Sequence, residues 1–490
     1  MLARFGDVWN ASVRTAFLQP PRIGRMPCAR TVQKGRDGMQ KNDEMKLGLF
    51  LVQAGYNEGA WRDPSVPANG GVDIDHYTHL AALAEDAAFH FVFLADSPSV
   101  AEQDNANIAR VSRNDGFEPL TLLSALSSRT HDIGLVGTAT TTYHQPYHLA
   151  RMFASLDHLS RGRAAWNIVT SGFKFEAANF GENELPNHDA RYARAREFVH
   201  VVKALWDTWE DDAFIRDKKS GIYVDTAKLH LTNHRGDYLS VRGPLNIARP
   251  PQGYPVLVQA GASDPGVRFA AEFGEVVFTA EPSLENGKRY YAALKAKART
   301  LGREDNQMVV MPGIVTIVGR TKQEAAEKLQ RLQSHTPMDV LIASADRLLG
   351  FVTDLRSMNL DSLVPETLPQ TKFFQSRQKV LLDLAARHKF TWRQLIRLVA
   401  DSRGHLMVVG TPDEVADAMV DTFDQCAADG FNVLPATVPG GLRDFIDLVL
   451  PELRRRGKFR SRYSGRTLRE NLGLKRPVNQ FTRAGATSHP

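Results

Sequence analysis

From Met45 onward, short apolar runs alternate with longer stretches whose apolar positions recur at helical spacing. Leu47 to Gln53 reads as a first strand. His76 to Phe89 reads as a helix that packs over it, and Phe91 to Leu94 as a second strand that runs into Ala95 and Asp96. Leu120 to Ser128 is then helical, Ile133 to Thr138 a strand, Leu149 to Leu159 helical and Ala164 to Thr170 a strand. Val256 to Ala260, Val276 to Thr279, Val309 to Val318 and Phe431 to Pro435 bring the strands to eight. Strands that alternate with helices form parallel βα units rather than a sandwich, so the expected class is α/β and the expected architecture a (β/α)8 TIM barrel.

Thr321-x-x-Glu324, Thr391-x-x-Gln394 and Thr411-x-x-Glu414 are capping-box patterns that mark helix starts, and Pro412 suits a first helical position. A barrel scaffold needs only about 250 residues, so this 490-residue chain must carry insertions. We place them near 172–255, with polar and hairpin-like stretches, and near 322–405, read as almost wholly helical. The expected organisation is a disordered leader over 1–44, the barrel with its insertions over 45–460, and an extended basic tail over 461–490.

The net charge of +6 invites comparison with nucleic-acid binders until its location is examined. Residues 1–44 contribute +4 and Arg454 to Arg476 contribute +9, leaving −7 for the body of the chain. A mildly acidic body without a known nucleic-acid motif presents no electrostatic footprint for nucleic acid. Cys28 and Cys426 lie far apart in the sequence and imply neither a disulfide nor a metal cluster. No apolar stretch approaches the length of a membrane span, and no HExxH or clustered Cys/His spacing marks a metal site. A cytoplasmic setting is expected.

In a parallel barrel the chemistry sits at the C-terminal ends of strands. Asp96 follows the second strand, Thr140 to Tyr143 follow the third, Asn167 and Ser171 lie in and after the fourth, and Ser263 follows the fifth. Each alone also suits a helix cap or a turn. Their recurrence at one rim is what points to a site.

Several separated blocks carry a family resemblance. They are Gly137 to Tyr143, Pro146-Tyr147, Leu149 to Arg151, Ser155 to Ser160 with Gly162-Arg163, Trp166 to Ser171, Asn187 to Tyr192, Gln259 to Ser263 and Tyr463 to Leu474. Together they resemble the nitrilotriacetate and dibenzothiophene-sulfone monooxygenase branch of the bacterial luciferase-like flavin-dependent superfamily, in register from about Met45 to about Gln480. The resemblance implies a luciferase-like barrel that binds FMN noncovalently and serves as the oxygenase component of a two-component monooxygenase. It implies FMNH2 delivered by a separate NAD(P)H-dependent flavin reductase, O2 as co-substrate, a flavin C4a-(hydro)peroxide, a small xenobiotic-like organic substrate, and a homodimer or homotetramer. Its flavin positions fall on Asp96, Thr142, His188, Tyr192 and Ser263. Asp96, Thr142 and Asn167 suit the polar edge of an isoalloxazine, and His188, Tyr192 and Ser263 with the amides around Gly261 and Ala262 suit a phosphate at a helix N-terminus. The insertions are expected as lids, with Phe173, Phe175 and Phe180 near the mouth. The family pattern breaks at His144-Gln145 before Pro146 and at Tyr56-Asn57, where relatives carry histidine, so the catalytic group stays unassigned. The alternatives are a catalytically silent flavin-binding protein and a deazaflavin-dependent oxidoreductase.

Overall fold

The computed structural model describes residues 44–485, except 101–104, 173, 262, 351, 353 and 372–374. Nine parallel strands form its main sheet: β1 Lys46–Phe50, β2 Phe91–Leu94, β3 Gly134–Thr140, β4 Ala164–Val169, β5 Val256–Gln259, β6 Val276–Thr279, β7 Val309–Val318, β8 Leu406–Gly410 and β9 Gly430–Pro435. The order runs β9-β1-β2-β3-β4-β5-β6-β7, and β7 pairs back onto β9, which closes an eight-stranded barrel. The eight expected strands are the eight barrel staves.

The ninth strand, β8, was not expected. It pairs with Ile314–Val318 of β7, beyond the stretch Val309–Pro312 that pairs with β6. β7 is ten residues long and outruns its neighbour, so its upper backbone groups need a partner. Leu406–Gly410 supplies it at the end of the second insertion.

Residue parity sets the two faces. Phe91, Phe93, Val136, Ala165, Val258, Val276 and Met311 turn into the barrel. Their neighbours Val92, Leu135, Trp166 and Leu257 turn outward into the main core with the helices. The helices run α1 Ile74–Asp86, α2 Pro119–Ser127, α3 Pro146–Leu159, α4 Lys174–Asn179, α5 His188–Trp206, α6 Asp264–Phe273, α7 Leu284–Thr300 and α8 Lys322–Ser334, of which α1, α2, α3, α5 and α6 join this core. α9 Met338–Leu349, α10 Gln375–His388 and α11 Trp392–Ser402 hold a core of their own around Leu349, Leu381, Leu395 and Val399. α12 Pro412–Asp424 links β8 to β9.

Thr391 and Thr411 make complete capping boxes. At Thr321 only half of one forms, because the Glu324 carboxylate accepts from the Arg320 amide. Thr411→Val is expected to lower stability by about 1 kcal/mol, read as an earlier urea-unfolding midpoint.

The basic C-terminal segment packs against its own barrel. Leu468 and Leu472 of α13 Leu468–Leu472 join the inward-facing cluster at the N-terminal end of the strands. Gly134 leaves the space for Leu468, since a Cβ there would lie 2.5 Å from its Cδ1. Arg456, Lys458, Arg469 and Arg476 pair with Asp417, Asp424, Glu275 and Asp211 of the same chain. The sequence suggested no disulfide between the two cysteines; Cys28 lies outside the described residues. Among the described residues no helix is long and apolar enough to cross a membrane.

Candidate active site

A cavity of about 330 Å³ opens at the C-terminal ends of β2, β4, β5 and β6, covered by α5 and α10. Of the five residues carried over as flavin positions, Asp96, His188, Tyr192 and Ser263 all line it. Thr142 does not. Its hydroxyl donates to the Thr170 carbonyl at 2.9 Å, so it stands behind Thr170, which is itself part of the wall.

The start of α5 explains one side of the cavity. Asn187 caps the helix by accepting from the Ala190 amide at 2.8 Å. Positions 188, 191 and 192 then share a helical face, and His188, Arg191 and Tyr192 all reach the cavity. Arg191 is buried, with Nη1 donating to the Pro186 carbonyl at 3.0 Å and Nε without a partner. Burial lowers the pKa of Arg191, and burial together with the Arg191 charge lowers that of His188. The Tyr192 hydroxyl bonds with Ser263 and Thr170, and burial raises its pKa.

Ser263 caps α6 by accepting from the Gly266 amide at 3.3 Å. Gly261 and Gly266 keep this corner open. A Cβ on Gly261 would lie 2.4 Å from Gln259 Nε2, and one on Gly266 would lie 3.0 Å from the Tyr192 hydroxyl. Ala262 lies outside the described residues.

The strand ends supply acceptors. Gln259, at the last position of β5, is buried and its Oε1 has no partner. Asn167 is level with Thr138 and Val258 across three strands; its Nδ2 donates to Thr138 Oγ1 at 2.8 Å while its Oδ1 is unpartnered. Such buried orphans mark places where a ligand completes the hydrogen bonding. Ser97 and the Gly172 amide both donate to Glu176, which fixes that carboxylate in the wall.

The Asp96 carboxyl opens onto the cavity, and burial with repulsion from Glu118 and Glu176 pushes it up to about 6. A carboxyl whose folded value is raised favours the fold while protonated and costs stability once ionised. Asp96→Asn is therefore expected to stabilise the chain by about 1 kcal/mol near pH 8, discounted for solvent, and to leave it unchanged near pH 4. Melting midpoints at the two pH values test this, and equal shifts at both would count against it.

Phe278 forms part of the wall beside Arg377 and Val380 of α10. Near the rim, Phe180 stacks on Tyr143 with centroids 4.4 Å apart; Phe173 lies outside the described residues. Among the described residues no group of three or more His, Cys, Asp or Glu could hold a metal ion. Arg191 and Gln259 were not assigned from sequence, although both lie within the family-like blocks; a cation one turn into a helix beside His188, and a polar residue ending a strand, were the available signals.

The donor set at α5 and α6 suits an anion, and the acceptors on β4 and β5 suit the N–H edge of a planar ring. FMN presents both groups, and the residues fit it.

Three comparisons bear on this geometry. A model of the family described as Luciferase-like monooxygenase matches residues 47–429. The chain is similar to the N-acetyl-S-(2-succino)cysteine monooxygenase of Bacillus subtilis (strain 168), 44% identical over 444 residues that cover 90% of this chain and 99% of that protein. It is equally similar to nitrilotriacetate monooxygenase component A of Aminobacter aminovorans, 44% identical over 452 residues that cover 91% of this chain and 100% of the relative. Among solved structures it resembles a riboflavin lyase determined with modified FMN and riboflavin, with a TM-score of 0.79, 35% identity, and coverage of 88% of this chain and 96% of the other.

Proposed function

Since the chain belongs to the luciferase-like monooxygenase family, we infer that it is the oxygenase component of a two-component FMN-dependent monooxygenase that oxidises a small organic substrate with O2. The observation that carries this reading is the single cavity wall on which anion donors from α5 and α6 meet the unpartnered Gln259 Oε1. A separate NAD(P)H-dependent reductase supplies FMNH2, and free diffusion between the two proteins suffices for delivery.

When bound, reduced FMN supplies the two electrons that activate O2, one oxygen atom passing to the substrate and the other leaving as water. The residues of the chain do the rest. Arg191, His188 and Tyr192 hold the phosphate with Ser263 and the N-terminus of α6, where the helix dipole favours negative charge. Gln259 accepts from the ring edge and fixes its orientation. The Asp96 carboxyl, at about 6, holds or releases a proton close to neutral pH beside that edge. Phe278 in the wall and the Tyr143–Phe180 pair near the rim limit water around the reacting atoms.

Anaerobic titration with photoreduced FMN tests the reading first. Saturable binding in the micromolar range is expected, and its absence would overturn the FMN assignment. A catalytically silent flavin binder would pass that titration, so product is then sought under labelled O2 with a generic reductase. Label in the product supports the oxygenase, whereas consumption of O2 without labelled product from any of the compounds offered favours the silent binder.

A further inference from the structure

At the end of β6, two buried ionisable groups that the FMN assignment leaves unused, His405 and Glu281, meet at Thr279, which lines the cavity. His405 bonds through its ring to the Thr279 carbonyl and stacks on Phe278 with centroids 5.3 Å apart. Glu281, just beyond the strand, accepts from Thr279 Oγ1 at 2.8 Å. Tyr290 of α7 also meets Thr279: its hydroxyl bonds with that of Thr279 and donates to the Gly261 carbonyl at 3.1 Å. Gly261 lies in the cavity wall, at the corner given above to the phosphate. A line of hydrogen bonds therefore runs from Glu281 through Thr279 and Tyr290 to the anion corner.

The Thr279 hydroxyl carries one hydrogen and has two oxygens to give it to, those of Glu281 and Tyr290. When Glu281 is ionised, its carboxylate is the stronger acceptor and takes that hydrogen, which breaks the line between Thr279 and Tyr290. When Glu281 is protonated, its own O–H donates to Thr279 Oγ1. Thr279 then donates to the Tyr290 oxygen and Tyr290 to Gly261, so every bond points the same way and each polarises the next. Burial, against the opposing pull of Thr279, Arg377 and Arg289, pushes the Glu281 carboxyl up to about 7, so both forms are populated near neutrality. The other groups that face this cluster keep one charge state there. Arg377 of α10 and Arg289 of α7 are cations. Burial holds His405 well below its ordinary value and so neutral, and burial raises Tyr290 and Tyr192 of α5.

We propose that Glu281 is a positioning residue of the flavin site: its proton completes the hydrogen-bond line through Thr279 and Tyr290 to Gly261, so that the flavin phosphate is bound together with a proton on Glu281. The neutral carboxyl also adds no negative charge to repel the phosphate. By reciprocity, the bound phosphate favours the protonated carboxyl as strongly as the proton favours binding. The proton comes from solvent and forms one O–H bond at the carboxylate; no bond of the flavin breaks. This role rests on the FMN reading above.

The test is anaerobic titration with reduced FMN on either side of the Glu281 value, near pH 6.5 and near pH 8.5, of the parent, Glu281→Gln and Thr279→Val. Glu281 loses its proton as pH rises, so the parent's affinity should fall by roughly three- to thirtyfold between the two, the larger figure being the change in the protonated fraction. Glutamine is neutral throughout and donates from Nε2 to Thr279. Glu281→Gln should therefore match the parent near pH 6.5, which also reports folding, and bind more tightly than the parent near pH 8.5. Thr279→Val severs the line and should flatten the pH response. Calorimetry in two buffers of different ionisation enthalpy should show more proton uptake by the parent than by Glu281→Gln. Equal pH responses in the parent and Glu281→Gln would overturn the proposal. So would a response in Thr279→Val as steep as the parent's, because charge repulsion alone would then account for it. Failure of the FMN reading is seen separately, as a parent that binds reduced FMN at neither pH. The proton on Glu281 is followed independently of flavin, as the infrared band of a protonated carboxyl that titrates in the flavin-free parent and is missing from Glu281→Gln.

Discussion

Replacing Arg469 by methionine is expected to cost the folded chain about 3–5 kcal/mol, because it leaves a buried carboxylate without its partner. The Arg469 guanidinium is almost fully buried at the floor of the barrel and contacts both oxygens of Glu275, at 2.5 and 2.9 Å. It also donates to the carbonyls of Lys475 and Tyr254, each at 3.2 Å. Glu275 in turn accepts from the Leu257 amide at 3.0 Å, at the base of β5. The same short helix takes a backbone bond from Arg469 to Gln252 Oε1, and Gln252 Nε2 donates to Asp157 and to the Ala164 carbonyl at the base of β4. The side chain thus ties the C-terminal segment to the bases of β5 and β6, and the backbone amide of the same residue ties it through Gln252 to the base of β4. Methionine preserves much of the apolar stem but none of the five donors. Pairing it with Glu275→Leu removes the stranded charge and is expected to recover a substantial part of the loss. Urea-unfolding midpoints of the parent, the single variant and the double variant decide the matter. A single variant as stable as the parent would show that water or movement of the segment relieves Glu275.

The staves of the barrel were legible because each carries its own evidence. In Phe91–Leu94 and Ala164–Val169 the apolar run is short, bounded, and followed by a helical period, and the alternation of inward and outward residues needs no knowledge of neighbours. β8 was not legible. Leu406–Gly410 follows a long helical region, and what makes it a strand is the unpaired upper half of β7 nearly a hundred residues earlier in the chain, a tertiary fact. The site divides the same way. Asp96 and Ser263 could be picked out because a parallel barrel places chemistry after its strands. His188 and Tyr192 came only with the family-like block, since a helix start alone says nothing about which cavity it faces. Thr142 came with the same transfer, and the structure sets it behind the wall, its hydroxyl donating to the Thr170 carbonyl. Arg377, which lines the cavity, gave no signal at all, because surface and buried arginines look alike in a sequence and only packing distinguishes them.

Arg191→Met is expected to weaken reduced-FMN binding by roughly 10- to 150-fold, the equivalent of the 1.5–3 kcal/mol of a hydrogen bond to a charged group. Arg191 is the residue of the α5 face whose charge is permanent and which is already largely desolvated in the folded protein: it is buried, it is held by the Pro186 carbonyl, and Nε has no partner. Holding a guanidinium in this state favours any ligand that supplies the missing charge, and the cost of ordering the side chain has been met before the ligand arrives. Lysine should recover only part of the affinity, because a point charge does not reproduce the planar fork. The decisive control is reduced riboflavin, which lacks the phosphate. If Arg191 addresses the phosphate, riboflavin binds the parent weakly and the Arg191→Met variant equally weakly, so the two substitutions, one in the ligand and one in the protein, are not additive. An equal loss on riboflavin and on FMN would instead place the guanidinium at the ring, and the phosphate would have to be assigned to His188, Tyr192 and the N-terminus of α6 alone.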